Sequence, residues 1–302
     1  MWEFEGLFDA DINPDDQTLL ANFWKDERSG IKIGRMGYRR RTIKAGARLE
    51  AEVYPVFGRD DERKARAARK NMTPEAMRKQ NDERSARRLI QLIEANFTEK
   101  DISLGLSYEG TPPDDKRVRK DVRNFLNKVK RQREKRGLPE LKYIYAIGGD
   151  EMPSRGYSGK RPHVHLVMNG GIDRDELEAI WRENNPGHGT ANCDRLQPND
   201  DGLEGLARYL MKQRFDRPEK KGARKWSGSR NLREPQKKTN DCKITNGRVK
   251  RIAFDFLNHA GETMEKLYPG YTLTKCQVKY SDVIDGVYIR CILRKRKEGR
   301  AR

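Results

Sequence analysis

The 302-residue chain has few apolar residues, and this shortage excludes several classes of protein. Hydrophobic residues make up 34% of the sequence, well below the share typical of globular proteins. No run approaches the roughly 20 apolar residues that a membrane-spanning helix needs. Residues 2–5, Trp-Glu-Phe-Glu, also lack the basic and apolar segments of a secretory signal. We therefore expect a cytoplasmic protein without a membrane partner.

Cysteine pairs and nucleotide-binding loops are also missing. The four cysteines, Cys193, Cys242, Cys276 and Cys291, are scattered and form no CxxC pair. This spacing argues against a zinc ribbon or a disulfide scaffold and favours reduced thiols. The Walker A pattern GxxxxGKS/T is absent, so we expect no fused helicase domain in this chain.

Positive charge, in contrast, is abundant. Lys and Arg number 65 against 46 Asp and Glu, which gives a formal net charge of +19. Such an excess favours a polyanionic partner, because basic residues that neutralise phosphates release condensed counterions. An anionic membrane surface and simple solubility are the alternatives. Nucleic acid is favoured because no membrane signature accompanies the charge.

Composition and periodicity divide the chain into five segments. Residues 1–36 form an N-terminal extension without an assigned role, residues 37–100 a strand and helix segment, and residues 101–213 the predicted core. Residues 214–250 are basic and poor in apolar residues, which indicates an extended arm, and residues 251–302 return to strand-like alternation. Within the core the predicted order β-α-β-β-α-β-α indicates an α+β fold, a central antiparallel sheet with helices on one face. The C-terminal strands are expected to complete this sheet or to form a small annex.

Two of the four histidines, His163 and His165, stand two residues apart in a predicted strand. Alternate residues of a strand point to the same side, so both imidazoles face one way. Two neutral imidazoles side by side can bind a divalent metal, although ordinary strand histidines that hydrogen-bond to their neighbours are the alternative. The apolar residues 166–168 and the basic loop that ends at Lys160 and Arg161 favour the metal.

A second candidate group lies in the last predicted helix of the core. Tyr209 and Lys212 are three residues apart, so the phenol and the ammonium share one side of the helix. A tyrosine hydroxyl is a weak nucleophile at neutral pH, and a nearby cation or metal favours its ionised form. The alternative is a tyrosine that packs on the sheet beside a solvated lysine.

In their order along the chain these motifs resemble those of rolling-circle replication initiators of the HUH endonuclease superfamily, in particular the bacterial plasmid and phage type. The resemblance is carried by residues 103–108, by residues 161–167 with the paired histidines, and by residues 209–212 with the single tyrosine. It extends from about residue 37 to the C-terminus. It implies an HUH/RRM-like endonuclease fold, with the histidines on a middle strand and the tyrosine helix packed across them.

The resemblance also implies a reaction. Tyr209 would attack a backbone phosphate of single-stranded DNA at a replication origin, leaving a 5′-phosphotyrosine and a free 3′-hydroxyl that primes replication. Lys212 would position a phosphate or favour ionisation of the tyrosine, and Mg²⁺ or Mn²⁺ would be the metal ion. A host helicase and a polymerase are the further partners that this reaction implies.

The third metal ligand departs from the family pattern. Many relatives place a carboxylate at the end of the strand before the histidines, where this chain has Gly148 and Gly149. Asp150 and Glu151 follow at once, and Glu151 is the favoured candidate. Completion of the site by water and substrate phosphate is the alternative.

Contacts to DNA are predicted for six residues: Lys160, Arg161, Arg208, Trp226, Arg230 and Asn231. Trp226 either stacks on an unpaired base or packs against the sheet. Two other interpretations stay open. One is a basic nucleic-acid-binding protein without catalytic activity, and the other is a conjugative relaxase. Relaxases usually have a further histidine upstream, and no histidine precedes His163 in this chain.

Overall fold

The computed structural model describes residues 37–111, 113–149, 161–183, 187–212, 224–254, 256–280 and 286–296. In these residues ten strands form two antiparallel five-stranded sheets, and seven helices pack on them. The predicted α+β class is confirmed, but two sheets replace the single central sheet. Among the described helices, none has the length and apolar content needed to cross a membrane.

The elements follow one another along the chain as β1 (Tyr38–Ala45), β2 (Arg48–Pro55), α1 (Arg59–Lys70), α2 (Pro74–Asn96), β3 (Ile102–Tyr108), α3 (Asp115–Lys135), β4 (Tyr143–Gly148), β5 (His163–Met168), α4 (Arg174–Arg182), β6 (His188–Arg195), α5 (Glu204–Lys212), β7 (Ser227–Gly228), β8 (Gln236–Ile244), α6 (Asn246–Phe254), α7 (Phe256–Leu267), β9 (Tyr271–Tyr280) and β10 (Val287–Lys295). They divide into two compact units. The first combines the described residues up to Arg87 with those from Pro235 onward, and the second is Arg88–Glu234. The predicted order β-α-β-β-α-β-α is found from β3 to α5.

The sheet of the second unit has the strand order β6-β3-β5-β4-β7, with β5 in the middle. In β3 every second residue from Ile102 to Tyr108 is buried, as expected for a strand with one apolar face. This face packs against α3 and α4 through an apolar cluster that includes Leu104, Leu106, Val122, Phe125, Val164, Leu166 and Trp181. The Asp114 carboxylate caps α3 by accepting a hydrogen bond from the Arg117 N–H at 2.7 Å.

Helices cover both faces of this sheet, so the prediction of helices on one face was wrong. Val164 and Leu166 of β5 point into the cluster beneath α3 and α4. His165 lies between them in sequence and therefore points to the other face, where the ring of Tyr209 on α5 contacts it. The helix α5 also contacts β4. The order of elements does not reveal which face a crossover helix covers, because that depends on the path of the connecting loops.

The first unit contains the second sheet, in the order β8-β1-β2-β10-β9. Its apolar cluster joins one face of this sheet to α6 and α7, with members Leu49, Val53, Val249, Ile252, Met264, Ile289 and Leu293 among others. The C-terminal strands therefore do not complete the predicted core sheet. They pair with β2 instead, because β10 runs antiparallel to it from Ile289 to Arg294.

The predicted basic arm over residues 214–250 was also wrong in part, because β8 lies within it. Among the described residues this strand forms an edge of the first sheet and pairs with β1 alone. Lys237, Lys238 and Thr239 in its middle are exposed. An edge strand of this kind is held by backbone hydrogen bonds, so its side chains show no apolar alternation that a sequence pattern could detect.

The other face of the first sheet buries charged side chains. Glu50 accepts hydrogen bonds from Arg48 at 2.8 Å and from Arg87 at 2.9 Å, and Arg87 also pairs with Glu52. Arg290 lies 3.4 Å from Glu50. Burial by itself would raise the pKa of Glu50, but the guanidinium groups of Arg87, Arg290 and Arg48 outweigh burial and hold this pKa far below its ordinary value.

Replacing Glu50 by Gln is expected to destabilise the first unit by about 3–5 kcal/mol, because it leaves buried guanidinium groups without their counter-charge. Urea denaturation followed by circular dichroism measures this loss. The control is Asp241→Asn, which removes the exposed ion pair with Arg39 at 2.6 Å and should cost roughly 0–1 kcal/mol. Equal losses of unfolding free energy in the two variants would contradict the expectation that the buried network matters more than the exposed ion pair.

The same network predicts a pH dependence. The pKa of Glu50 is lower in the folded chain than the roughly 4.3 of an unfolded glutamate. Its contribution to stability is therefore complete above that pH and is lost as the pH falls through the folded pKa. The Glu50→Gln variant should lose less of its remaining stability than wild type when the pH is lowered from 5 towards 3.

Candidate active site

The paired histidines stand on the central strand of the second unit. Because Val164 and Leu166 are buried in the apolar cluster, the side chains of His163 and His165 share the opposite face, where both are half-buried. Their rings meet edge to face, with centroids 4.9 Å apart. The geometry thus brings two imidazoles into contact at one position on the sheet.

A backbone contact determines the tautomer of His163. Its Nδ1 lies 2.8 Å from the carbonyl oxygen of Arg161. A carbonyl oxygen only accepts hydrogen bonds, so Nδ1 must carry the proton. In the neutral ring Nε2 then has the lone pair, which is the arrangement of a histidine that binds a metal.

Tyr209 of α5 lies against the second histidine. Its hydroxyl oxygen is 3.3 Å from His165 Nε2, at the long end of the hydrogen-bond range, and the two ring centroids are 4.8 Å apart. The tyrosine is nevertheless 48% exposed. The side chain is therefore accessible from solvent although its hydroxyl lies beside His165.

The position of α5 depends on residues other than Tyr209. Ala207, Leu210 and Met211 are buried, and Glu94 of α2 accepts a buried hydrogen bond from the Leu203 N–H at 2.9 Å, just before the helix begins. Packing and this hydrogen bond thus hold the helix on the sheet. The tyrosine thus projects from a helix whose position does not depend on burial of the phenol ring.

The basic residues of α5 differ in their surroundings. Arg208 is exposed and pairs with Glu204 one turn earlier, with Nε 2.9 Å from the carboxylate. Lys212 is the exposed last residue of the helix and takes part in no ion pair among the described residues. Since it follows Tyr209 by three residues, its ammonium lies on the same side of the helix.

The sheet is open on one side of His165, a feature that was not among the sequence predictions. The cross-strand neighbours of His165 are Gly105 on β3 and Ala146 on β4. A Cβ atom added at Gly105 would meet nothing within 4 Å. Room for a ligand beside the histidine therefore lies on the Gly105 side, because Ala146 is 1% exposed. A glycine inside an alternating strand was the available signal.

Of the remaining predicted residues, Arg161 precedes the histidine strand, Trp226, Arg230 and Asn231 belong to the segment around β7, and two fall outside the described residues. Arg161 is exposed and donates to the Gly110 carbonyl at 3.2 Å. Trp226 is half-buried, immediately before β7, and Arg230 is exposed. Asn231 donates to the Leu141 carbonyl at 3.2 Å, a contact that anchors its own segment. Glu151 and Lys160 fall outside the described residues.

Among the described residues, His163 and His165 are the two side chains at this position that could ligate a metal ion. The described part of the chain contains no group of three or more His, Cys, Asp or Glu side chains arranged to hold a metal ion. Two imidazoles, one with its tautomer determined by a carbonyl, still suit a divalent ion whose other ligands are water and phosphate oxygens.

Comparisons with protein-family models, curated proteins and solved structures found no match.

The openness of the sheet at Gly105 predicts the effect of substitutions there. Gly105→Ala should stabilise the chain by about 0.5–1 kcal/mol, because glycine is unfavourable inside a strand and the added methyl meets no atom. Gly189→Ala on β6 is the matched control. Its Cβ would lie 2.8 Å from Ser107 Oγ and 3.1 Å from the Tyr108 backbone, so it should destabilise by about 1–3 kcal/mol. Urea denaturation that finds both variants equally destabilised would show that Gly105 is not open.

Proposed function

We propose that this chain is a metal-dependent nickase of single-stranded DNA, a replication initiator of the HUH type. Tyr209 is the nucleophile, and His163 and His165 hold Mg²⁺ or Mn²⁺. The observation that carries the proposal is the exposed Tyr209 hydroxyl 3.3 Å from His165 Nε2. The net charge of +19 supports a polyanionic substrate.

The contact between Tyr209 and His165 is hard to explain as packing alone. The helix α5 already has a buried apolar side without the tyrosine, formed by Ala207, Leu210 and Met211. A tyrosine recruited for the core would bury most of its ring, whereas this one is 48% exposed. A nucleophile, in contrast, must be both accessible and close to the groups that stabilise charge on the phosphate.

The proposed reaction exchanges one phosphodiester for another. A bond forms between the Tyr209 oxygen and phosphorus as the bond from phosphorus to the 3′ oxygen breaks. The phenol proton is lost to solvent, and the leaving 3′ oxygen takes a proton from solvent to become a hydroxyl. His163 and His165 would hold a divalent ion, which would supply stabilisation of the charge on the phosphate oxygens. Lys212 lies on the same side of α5 and would bind the neighbouring phosphate.

The wider role follows from this chemistry. A free 3′-hydroxyl primes synthesis, so the proposed setting is rolling-circle replication of a plasmid or phage in the cytoplasm, with a host helicase and polymerase as partners. Arg161, Arg208 and Arg230 are exposed cations that would contact the DNA backbone. Trp226, half-buried beside β7, would stack on an unpaired base.

Tyr209→Phe is expected to abolish a covalent protein–DNA adduct and to leave DNA binding within about twofold, because the phenyl ring keeps the packing and loses the nucleophile. The protein is incubated with Mn²⁺ and random-sequence single-stranded oligonucleotides, and adducts are resolved on a denaturing gel. A 3′-end label should remain on the protein and a 5′-end label should not, because the tyrosine takes the 5′ phosphate. Tyr145→Phe is the control, since Tyr145 packs against the apolar cluster on the other face.

Two results would contradict the proposal. One is an adduct that persists in Tyr209→Phe. The other is wild-type protein that binds the oligonucleotides in the presence of Mn²⁺ and forms no adduct.

Mn²⁺ binding tests the histidine pair separately from catalysis. His163→Ala and His165→Ala should each weaken Mn²⁺ binding by more than the roughly 10–100-fold caused by losing a hydrogen-bonded partner of a ligand. His259→Ala, a change in α7 of the other unit, should leave it unchanged. Electron paramagnetic resonance of free Mn²⁺ during titration measures the affinity. Equal affinities in all four proteins would exclude the pair as the metal site.

A further inference from the structure

The helix α6 of the first unit has two unlike sides. Val249, Ile252 and Ala253 are buried against the sheet. The opposite side is exposed and consists of Gly247, Arg248, Lys250, Arg251 and Phe254, which we call the α6 outer face. Gly247, Arg251 and Phe254 follow one another at spacings of four and three residues and so form its centre. A Cβ atom at Gly247 would meet nothing within 4 Å.

The positive charge of this face is not balanced within its helix. Exposed bases on other helices pair with acids one turn away, as in Arg66 with Glu62 on α1 and Lys130 with Glu134 on α3. The helix α6 contains no acidic residue. Among the described residues, Arg248 and Lys250 take part in no ion pair. Glu262 of α7 lies close to Arg251, but its main partner is Lys266, at 2.7 Å.

An apolar side chain sits among these charges. Phe254 is 65% exposed, more than any other large apolar side chain of the described residues. It follows Arg251 by three residues and shares its side of the helix. A ring that is largely exposed among cations presents apolar surface to a partner that binds this face. Nucleic-acid bases offer apolar contacts that would cover such a ring, including the thymine methyl group.

The distribution of charge around the helix axis favours a duplex. Arg248 and Lys250 are two residues apart, hence about 200° around the axis, so they flank Gly247 and Arg251 on opposite sides. The two strands that border a DNA groove likewise present phosphates on both sides of an inserted helix, whereas a single strand presents one line of them. The major groove is wide enough to admit an α-helix.

We propose that the α6 outer face is a second DNA-binding surface, which takes duplex DNA with Arg248 and Lys250 on the phosphates and Phe254 against the bases. It lies in the unit that does not contain Tyr209. It is independent of the nicking chemistry and would bind DNA even if Tyr209 proved not to be a nucleophile.

The test uses the full-length chain with Tyr209→Phe, so that no nicking occurs, and a random-sequence 30-base-pair duplex read by fluorescence anisotropy. Combining Arg248→Ala, Lys250→Ala and Arg251→Ala should weaken binding at low salt at least about tenfold. It should also reduce the slope of log affinity against log salt by about two to three, since each phosphate contact contributes about 0.9. Binding of a single-stranded oligonucleotide of the same length should change by less than about twofold.

The matched control combines Arg66→Ala, Lys130→Ala and Arg182→Ala, which removes the same net charge from bases that are paired with acids. Phe254→Ala should weaken duplex binding several-fold and leave the salt slope unchanged, because it removes no charge. Thermal unfolding of each variant verifies that the fold is retained.

The proposed surface is wrong if the α6 variant and the control lose duplex affinity and salt slope equally. The preference for a duplex is wrong if the α6 variant loses as much affinity for the single strand as for the duplex. Because every protein in the test lacks the Tyr209 hydroxyl, a failed adduct assay and a failed duplex assay are separate results.

Discussion

The alternation of side chains along β5 is the constraint on which the candidate site depends. Val164 and Leu166 are buried beneath α3 and α4, and their burial turns both histidines to the other face. A shift of this strand by one residue would bring the imidazoles into the apolar cluster and expose the two aliphatic side chains. Each aliphatic side chain is worth about 1.5–3 kcal/mol when buried. The core of the second unit therefore determines the position of the paired imidazoles, with little contribution from the histidines themselves.

The helix that carries Tyr209 is held by the same principle. Its buried residues and the hydrogen bond from the Leu203 N–H to Glu94 fix its place, so the phenol needs to make no packing contribution of its own. The sheet has open space on the Gly105 side of His165, whereas Ala146 on the other side is buried. The result is a half-exposed tyrosine on a well-packed helix, with its hydroxyl beside one of the paired imidazoles.

The two units solve the shortage of apolar residues in different ways. The second unit concentrates them in one continuous cluster between its sheet and two helices. The first unit buries one apolar face and fills the other with the charges of Arg48, Glu50, Glu52 and Arg87. Such a network contributes little net stability compared with apolar packing. Removing one partner nevertheless destabilises the fold, because it leaves a buried charge without its counter-charge. A chain with 37% charged residues can thus form two cores because part of its charge is paired inside.

Local patterns by themselves determined the order of elements from β3 to α5 and the shared direction of His163 and His165, because periods of two and 3.6 residues are properties of neighbouring positions. Only the tertiary structure decided that the strands belong to two sheets and that β8 is one of them, since strand pairing uses backbone hydrogen bonds that any side chain permits. It also decided that Tyr209 meets His165, which lies 44 residues away in sequence, and that the sheet is open on the Gly105 side of His165. A distance between two elements depends on how the cores beneath them pack, and no local spacing in the sequence encodes that distance.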